Sequence, residues 1–216
     1  MAGRKKNPAQ TAATRNTIIE KSYELFSTRG IETVTMAEIA KKSGYGDMTI
    51  YRYFPTKPTL VIAVATWKWS QVFEVVVRNE TIRRVDRMTA SEMFELYLDY
   101  FLDFYRNNIE LLRFSQYFNV YVKSENIGAE LLQPYQTMIN SFRDRFHEIY
   151  LKAEQDHTIR TDEPEGKMFS KTLHLMLAVV TRYAVGLVYI PDDGFDDEEE
   201  LEFQKNMILK EYRGRS

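Results

Sequence analysis

Residues 47–53 combine side chains whose types and spacing suit contact with a nucleic acid. In a helix, one face of this segment carries Asp47, Met48, Thr49, Arg52 and Tyr53, with Tyr51 at its edge. Hydroxyl and guanidinium groups are common donors to phosphate oxygens, and polar side chains on a helix read base edges in the major groove. The pattern therefore indicates non-covalent recognition rather than catalysis.

Two short helices separated by a glycine turn are needed to present that face. Thr35 and Glu38 form an S/T-x-x-E capping box, which predicts that the first helix begins at Thr35. Gly44 permits the positive φ of a tight turn. Ile50 and Phe54, four positions apart, predict the buried side of the second helix. Such a unit is a helix-turn-helix, in which the second helix enters the major groove of DNA.

Charge favours this interpretation over an ordinary helical hairpin in an all-α core, which the caps and the glycine would also satisfy. Residues 1–68 hold eleven Lys or Arg against five Asp or Glu. The remaining residues hold eighteen against twenty-six, so a basic N-terminal segment precedes an acidic body. A basic surface attracts phosphates through counterion release.

The segments RNTIIEKSYELFSTRG and TMAEIAKKSGYGDMTIYRYFPTKPTL carry a further signal, since they resemble the N-terminal domain of the TetR family of bacterial repressors. The resemblance implies an all-α fold: a three-helix helix-turn-helix DNA-binding domain at residues 1–57, then a larger helical domain for ligand binding and dimerisation at 58–216. Beyond residue 65, the likeness is one of size and helical content.

The resemblance also implies roles for individual residues. Asp47, Met48 and Thr49 are expected to face base edges or nearby phosphates, and Tyr51, Tyr53 and Lys57 to hold the DNA backbone. A basic arm at the N-terminus would reach phosphates or a minor groove, although a solvated tail is the alternative. The full set expected to contact DNA is Arg4, Lys5, Lys6, Thr35, Met36, Gly46, Asp47, Met48, Thr49, Tyr51, Arg52, Tyr53 and Lys57.

Some positions depart from the family pattern. Ala37 stands where many relatives have a guanine-reading Arg, and alanine cannot make that bidentate contact. Gly46 stands where a capping Ser is common, so we expect Asp47 to cap the second helix, with acceptance from a cytosine amino group as the alternative. Tyr53 replaces a frequent His. The operator therefore cannot be copied from a relative.

Composition limits the remaining functions. The chain has 216 residues and no cysteine, which removes disulfides, thiolate metal sites and a cysteine nucleophile. We find no phosphate-binding glycine loop, nucleophile elbow or metal-binding His pair, so no enzyme, no cofactor and no metal site is expected. The acidic run 196–200 lacks the alternating spacing of a calcium loop and predicts a charged helix start. No leader or membrane span is expected, which suits a cytoplasmic protein.

Aromatic residues are concentrated between positions 93 and 122, in two helical stripes separated by Asn107-Asn108. Each ring taken singly suits a core, but together they exceed what one narrow helix interface needs and suit a pocket for a small hydrophobic or aromatic effector. A third aromatic helix near residues 135–150 could close it. The candidate ligand contacts are Tyr97, Phe101, Phe104, Phe114, Phe118, Asn119, Phe142, Phe146, His147 and His174.

Two C-terminal helices carry more apolar surface than one chain can bury. Residues 166–190 are apolar on more than one face, and a second helix follows from about Glu198. Pairing with a symmetry mate would form a four-helix homodimer interface, as the resemblance also implies. The candidate interface residues are Met176, Val180, Tyr183, Leu187, Phe203 and Met207.

These parts predict a homodimeric repressor that binds a palindromic double-stranded DNA operator and is released by a small hydrophobic ligand. A DNA-binding dimer controlled by a protein partner is the alternative, with the aromatic residues serving only as core.

Overall fold

The structure, a computed structural model, describes residues 8–186 and 194–214. Within these ranges the chain is all-α, as predicted, and contains no strand. The helices are α1 (Pro8–Arg29), α2 (Met36–Ser43), α3 (Asp47–Tyr53), α4 (Lys57–Arg83), α5 (Ala90–Asn107), α6 (Ile109–Ser124), α7 (Ala129–Asp156), α8 (Glu165–Val185) and α9 (Asp197–Tyr212), with a short 3₁₀ turn at Val85–Arg87.

Local sequence signals set several helix ends. Thr56 accepts a bond from the Thr59 amide at 3.3 Å and begins α4, as its position before Pro58 predicts. The Asn107-Asn108 break falls between α5 and α6. Asp196 accepts bonds from the amides of Glu198 and Glu199, so the acidic run does begin a helix.

The chain divides into two compact units. Unit 1 comprises Met1–Ser70 and Phe114–Met138, and unit 2 comprises Gln71–Arg113 and Ile139–Ser216. Helices α4, α6 and α7 each contribute residues to both units. The units reflect packing alone. The expected boundary between a DNA-binding domain at residues 1–57 and a regulatory domain at 58–216 therefore stays a prediction.

Unit 1 is built on α1, α2 and α3, which pack through fully buried Ile18, Ile39 and Ile50. Most of α6 joins these helices: the rings of Tyr23 and Phe114 meet edge to face at 5.5 Å between centroids. Ser124 at the end of α6 donates to a carboxylate oxygen of Glu32 at 3.0 Å. The N-terminal helices therefore share one core with α6.

Helix α4 is long and apolar enough to cross a membrane, with a mean hydropathy of 1.4 over an 18-residue window. Leu60, Val61 and Val64 on this helix are nevertheless completely buried within the chain. The packing of a core helix thus accounts for its apolar sequence.

Unit 2 packs α5 against α8 and α9. Buried Lys205 on α9 pairs with Asp99 on α5, its Nζ lying 2.7 Å from the carboxylate oxygen. Arg106 on α5 pairs with Glu198 at 2.7 Å. These ion pairs fix the register of α9 against α5.

Candidate DNA-binding surface and ligand cavity

The predicted capping box at the start of α2 is confirmed. The Glu38 amide donates to Thr35 Oγ1 at 3.2 Å, and the Thr35 amide donates to Glu38 Oε2 at 2.8 Å. Arg29 also donates to the Glu38 carboxylate at 2.8 Å. The Thr35 amide, followed by Arg29, holds the pKa of Glu38 down at about 2.

The turn between α2 and α3 has the conformation that the glycine predicts. Gly44 adopts φ of 75°, a left-handed value that favours glycine, and the Tyr45 amide donates to the Ala40 carbonyl at 3.1 Å. The prediction that Asp47 caps α3 is wrong. Gly46 is the N-cap without a side-chain bond, and Asp47 is the first helical residue, one position too late to cap.

The outer face of α3 is strongly exposed. Met48 is 85% exposed and Tyr51 49% exposed, whereas Ile50 between them is completely buried. Asp47 and Arg52 are also exposed, and Thr49 and Tyr53 are half-buried at the edge of the face. The Arg52 guanidinium lies 5.3 Å from the centroid of the Tyr53 ring. The structure thus brings the expected base-facing and backbone-facing residues of α3 onto one surface.

The other expected DNA contacts differ in how available they are. Thr35 is exposed, whereas Met36 is buried, so the structure does not offer the Met36 side chain to DNA. Lys57 Nζ donates to the Glu32 carbonyl oxygen at 3.2 Å and lies 5.6 Å from the centroid of the Tyr121 ring. Burial lowers the pKa of Lys57. Arg4, Lys5 and Lys6 lie outside the described residues.

A cluster of buried rings fills the centre of unit 2. Tyr97, Phe101 and Phe104 on α5 meet Phe142 and Phe146 on α7, with ring centroids between 5.5 and 6.5 Å apart. Most of these pairs are edge to face, the arrangement that ring quadrupoles favour. Five of the expected ligand contacts are therefore brought together.

A closed cavity of about 10 Å³ lies within this cluster. Its lining is Phe73, Val76 and Glu80 from α4, Tyr97, Tyr100 and Phe101 from α5, and Phe142 and Arg145 from α7. Glu80, Tyr100 and Arg145 are not among the ligand contacts predicted from the sequence. The sequence could have indicated Glu80, because it is one of only two carboxylates among the apolar residues of the second half of α4.

The polar groups that the sequence placed near the ligand are exposed instead. His147 lies outside on α7, where its Nδ1 is 2.9 Å from a carboxylate oxygen of Glu165. His174 is exposed on α8 and its Nδ1 lies 3.3 Å from Ser170 Oγ. Asn119 is exposed on α6. The two histidines do not line the cavity, because each points away from the buried side of its helix.

Phe114 and Phe118 belong to unit 1 rather than to the ring cluster of unit 2. Phe114 packs on Tyr23 of α1, and the Phe118 and Tyr135 rings are 4.6 Å apart at their centroids. These contacts use the two rings as core of the N-terminal unit. Their expected role in ligand binding stays a prediction.

The candidate dimerisation residues separate into two groups. Met176 and Val180 are buried in the chain's own core, because α8 packs on α5 through that side. Phe203 and Met207 on α9 are 61% and 51% exposed. Tyr183 is half-buried and its hydroxyl donates to Glu200, while Leu187 lies outside the described residues.

Comparison with known proteins agrees with the geometry of the N-terminal unit. Residues 18–64 match the profile of the bacterial regulatory proteins of the tetR family. An HTH-type transcriptional regulator of Staphylococcus aureus is 30% identical over 99 residues, which are 46% of this chain and 51% of the relative. The chain thus spans about half the length of the curated relatives it matches.

Two solved structures share the fold over nearly the whole chain. One, from Saccharomonospora viridis and in complex with choline, has a TM-score of 0.73 at 16% identity, covering 94% of this chain and all of that one. FadR from Bacillus subtilis in complex with stearoyl-CoA has a TM-score of 0.68 at 18% identity, covering 90% of this chain and 97% of that one.

The helix-turn-helix geometry and the profile match define the class of protein. Residues 18–64 form a DNA-binding domain of the TetR-family type. The fold of the whole chain is similar to that of solved structures of TetR-family regulators.

Proposed function

We propose that this protein is a transcriptional repressor that binds a near-palindromic DNA operator as a homodimer and is released by a small hydrophobic ligand. The observation that carries the proposal is the outer face of α3, where Met48 is 85% exposed beside Tyr51 and Arg52. The fold buries Ile50 on the opposite side and makes little use of the outer residues. Met48 and Tyr51 are thus exposed together beside a guanidinium, and a patch of this kind, unlike a single apolar side chain, indicates a surface that meets a partner.

Duplex DNA is the partner that fits this surface. Helix α3 follows a tight turn and offers a thioether and a hydroxyl to base edges, with Tyr51, Arg52 and Tyr53 placed for phosphates. The excess of basic residues in positions 1–68 supports the same partner. In this proposal, residues 1–57 bind DNA, and residues 58–216 bind the ligand and form the dimer.

The proposed dimer uses the exposed apolar side chains of α8 and α9. Phe203 and Met207 on α9 lie in unit 2 with Leu175 on α8, which is 55% exposed. An isologous pairing would cover these residues on both copies at once. Two recognition helices in one dimer would then reach successive major grooves, about one helical turn apart.

Ligand response is supported by the aromatic interior of unit 2 and by two proteins of the same fold, one solved with choline and the other with stearoyl-CoA. Release requires that the ligand bind the non-binding conformation more tightly, with typical couplings of about 1 to 3 kcal/mol. Control by a protein partner is the alternative. A panel of hydrophobic compounds that neither raises the unfolding temperature nor releases operator would favour it.

Selection of bound duplexes from a random DNA pool tests the function. We expect a near-palindromic site to be enriched at moderate salt. If folded protein enriched no sequence from the pool, the proposal would be refuted.

Phe203→Asp should give a folded monomer in sedimentation and lower operator affinity by at least about 100-fold, since two linked sites gain avidity. Asn140→Asp, which adds the same charge at an exposed position on α7, is the control and should stay dimeric.

A further inference from the structure

The closed cavity of unit 2 contains polar groups that the ring cluster does not need. Its volume of about 10 Å³ holds roughly one water molecule. Phe73, Tyr97, Phe101 and Phe142 supply ring walls, while Glu80, Tyr100 and Arg145 supply the polar groups. Three different helices contribute, so a molecule placed there would touch α4, α5 and α7 together.

The Tyr100 hydroxyl is the unusual group. Tyr100 is 6% exposed, and its hydroxyl oxygen has no hydrogen-bond partner among the described residues. Burial raises the pKa of Tyr100, which keeps the hydroxyl protonated and therefore a donor. An unpaired buried donor destabilises the folded state, and native proteins rarely keep one without a reason.

Glu80 and Arg145 form an ion pair at the edge of the cavity. Arg145 Nε lies 3.2 Å from Glu80 Oε2, and the guanidinium stacks over the Phe73 ring at 5.7 Å from its centroid. Burial raises the pKa of Glu80, while Arg145 opposes this shift. The two charges offset each other, so the cavity as a whole is close to neutral.

The same two side chains also line an open groove of about 680 Å³. The groove is formed by the end of α4, the 3₁₀ turn, the start of α5 and α7, with Val77, Met88, Met93 and Leu151 among its apolar residues. Glu80 and Arg145 thus stand between the groove and the ring-lined cavity. Rotation of Arg145 toward Glu148, 3.1 Å away, would open a path inward.

We propose that this cavity is the effector site, and that it takes an uncharged, ring-bearing molecule with one hydrogen-bond acceptor, which accepts from the Tyr100 hydroxyl. This inference rests on the ligand-responsive function proposed above. The molecule enters from the groove as Arg145 turns outward, and Arg145 pairs with Glu80 again once the molecule is inside. Because the cavity is nearly closed without ligand, entry requires its walls to move apart.

The ion pair selects against charged molecules. Glu80 and Arg145 already neutralise each other, so neither is free to pair with an ion in the cavity, and the ion would lose its hydration without compensation. An uncharged molecule with an acceptor leaves the ion pair of Glu80 and Arg145 intact and accepts a hydrogen bond from the unpaired Tyr100 hydroxyl. A buried donor left unpaired rejects a molecule that lacks the acceptor.

Four probes of similar size test the chemistry with the whole chain of 216 residues. Acetophenone is uncharged with one acceptor, α-methylstyrene has the same shape without it, benzoate is an anion and phenyltrimethylammonium a cation. Binding is followed by the NMR signals of ring-labelled tyrosines, with Tyr100 assigned through its variant. We expect acetophenone to bind about tenfold more tightly than α-methylstyrene. Both charged probes should bind at least about tenfold more weakly than acetophenone.

Tyr100→Phe supplies the sharper test. It should remove the preference for acetophenone over α-methylstyrene and raise the unfolding temperature of the free protein by about 2 to 4 °C, since an unpaired donor is lost. Tyr105→Phe, on the same helix and bonded to Asp197, is the control and should keep the preference. A purely structural hydroxyl would give the opposite stability result.

Several outcomes would overturn this inference. Equal binding of acetophenone and α-methylstyrene would contradict the proposed hydrogen bond from Tyr100. Tighter binding of benzoate or the cation would contradict the proposed selection for uncharged molecules. A lower unfolding temperature for Tyr100→Phe would mean that the hydroxyl already has a partner. Absence of binding by all four probes would reject the site while operator selection by the same preparation still stood. Loss of operator selection with probe binding intact would reject the repressor function instead.

Discussion

The outer face of α3 and the ring cluster of unit 2 are both rich in large side chains, but the fold treats them in opposite ways. Met48 and Tyr51 remain exposed on α3, whereas Phe101 and Phe104 are almost completely buried. Folding accounts for the buried rings without any ligand, because their burial and edge-to-face contacts stabilise the chain. It does not account for Met48. Function is therefore best sought in groups that packing leaves unused, and Tyr100 is such a group inside the cluster.

Phe101→Ala and Tyr51→Ala test the comparison most directly, since both replace a ring by a methyl group. Phe101 is 1% exposed, so its loss should lower the free energy of unfolding by about 3 to 5 kcal/mol. Tyr51 is 49% exposed, and its loss should change that free energy by no more than about 0.5 kcal/mol. Urea unfolding measures both. Similar costs for the two variants would remove the distinction between the regions.

Met48→Ala tests whether the exposed face of α3 contributes to DNA recognition rather than to stability. We expect unchanged unfolding and a changed preference among operator bases, by about 1 kcal/mol or fivefold at the contacted position. Binding to operators with single base changes measures the effect. Ile82→Ala is the control, because Ile82 is 71% exposed on the part of α4 that belongs to unit 2. A lower affinity of Met48→Ala for every duplex alike would argue against base contact.

Lys57→Ala separates positioning from base reading within unit 1. If Lys57 leaves the Glu32 carbonyl and the Tyr121 ring to hold a phosphate, the variant should bind all sequences more weakly by a similar factor. The slope of log affinity against log salt should become shallower by about 0.9. Titrations at several salt concentrations measure this, with Lys167→Ala on α8 as the control. A changed base preference at an unchanged slope would contradict the role.

Glu38→Gln should have the smallest effect and one that depends on pH. The folded pKa of Glu38 is about 2, below its ordinary value of 4.5. A depressed pKa contributes stability above the ordinary value, and that contribution is lost as pH falls through the folded value. The unfolding temperature of wild type should thus exceed that of the variant above pH 4.5, and the difference should vanish by pH 2. A difference that grows on acidification would contradict this linkage.

The sequence predicted the helix ends well but the polar partners of the cavity poorly. The caps at Thr35 and Thr56 and the turn at Gly44 involve groups within a few positions, so spacing alone determines them. The wrong cap at Asp47 was an error of one position within the same local pattern. Glu80, Tyr100 and Arg145 come from three helices, and no local pattern links them.

The dimer surface shows the same limit. Met176 and Phe203 are both apolar residues on amphipathic helices, and no sequence pattern distinguishes them. Only the packing of α8 and α9 with α5 decided that Met176 is buried and Phe203 is exposed. The placement of Phe114 against Tyr23 likewise depends on residues about ninety positions apart meeting in space.

By itself the sequence determined the all-α class, the helix-turn-helix and the residues of its outer face, because hydrogen bonds and side-chain spacing within one or two turns fix them. The tertiary structure alone decided which rings enclose a cavity, which polar groups reach it and which apolar residues remain exposed. Those outcomes depend on burial, and burial is a property of helices packed together rather than of any one helix.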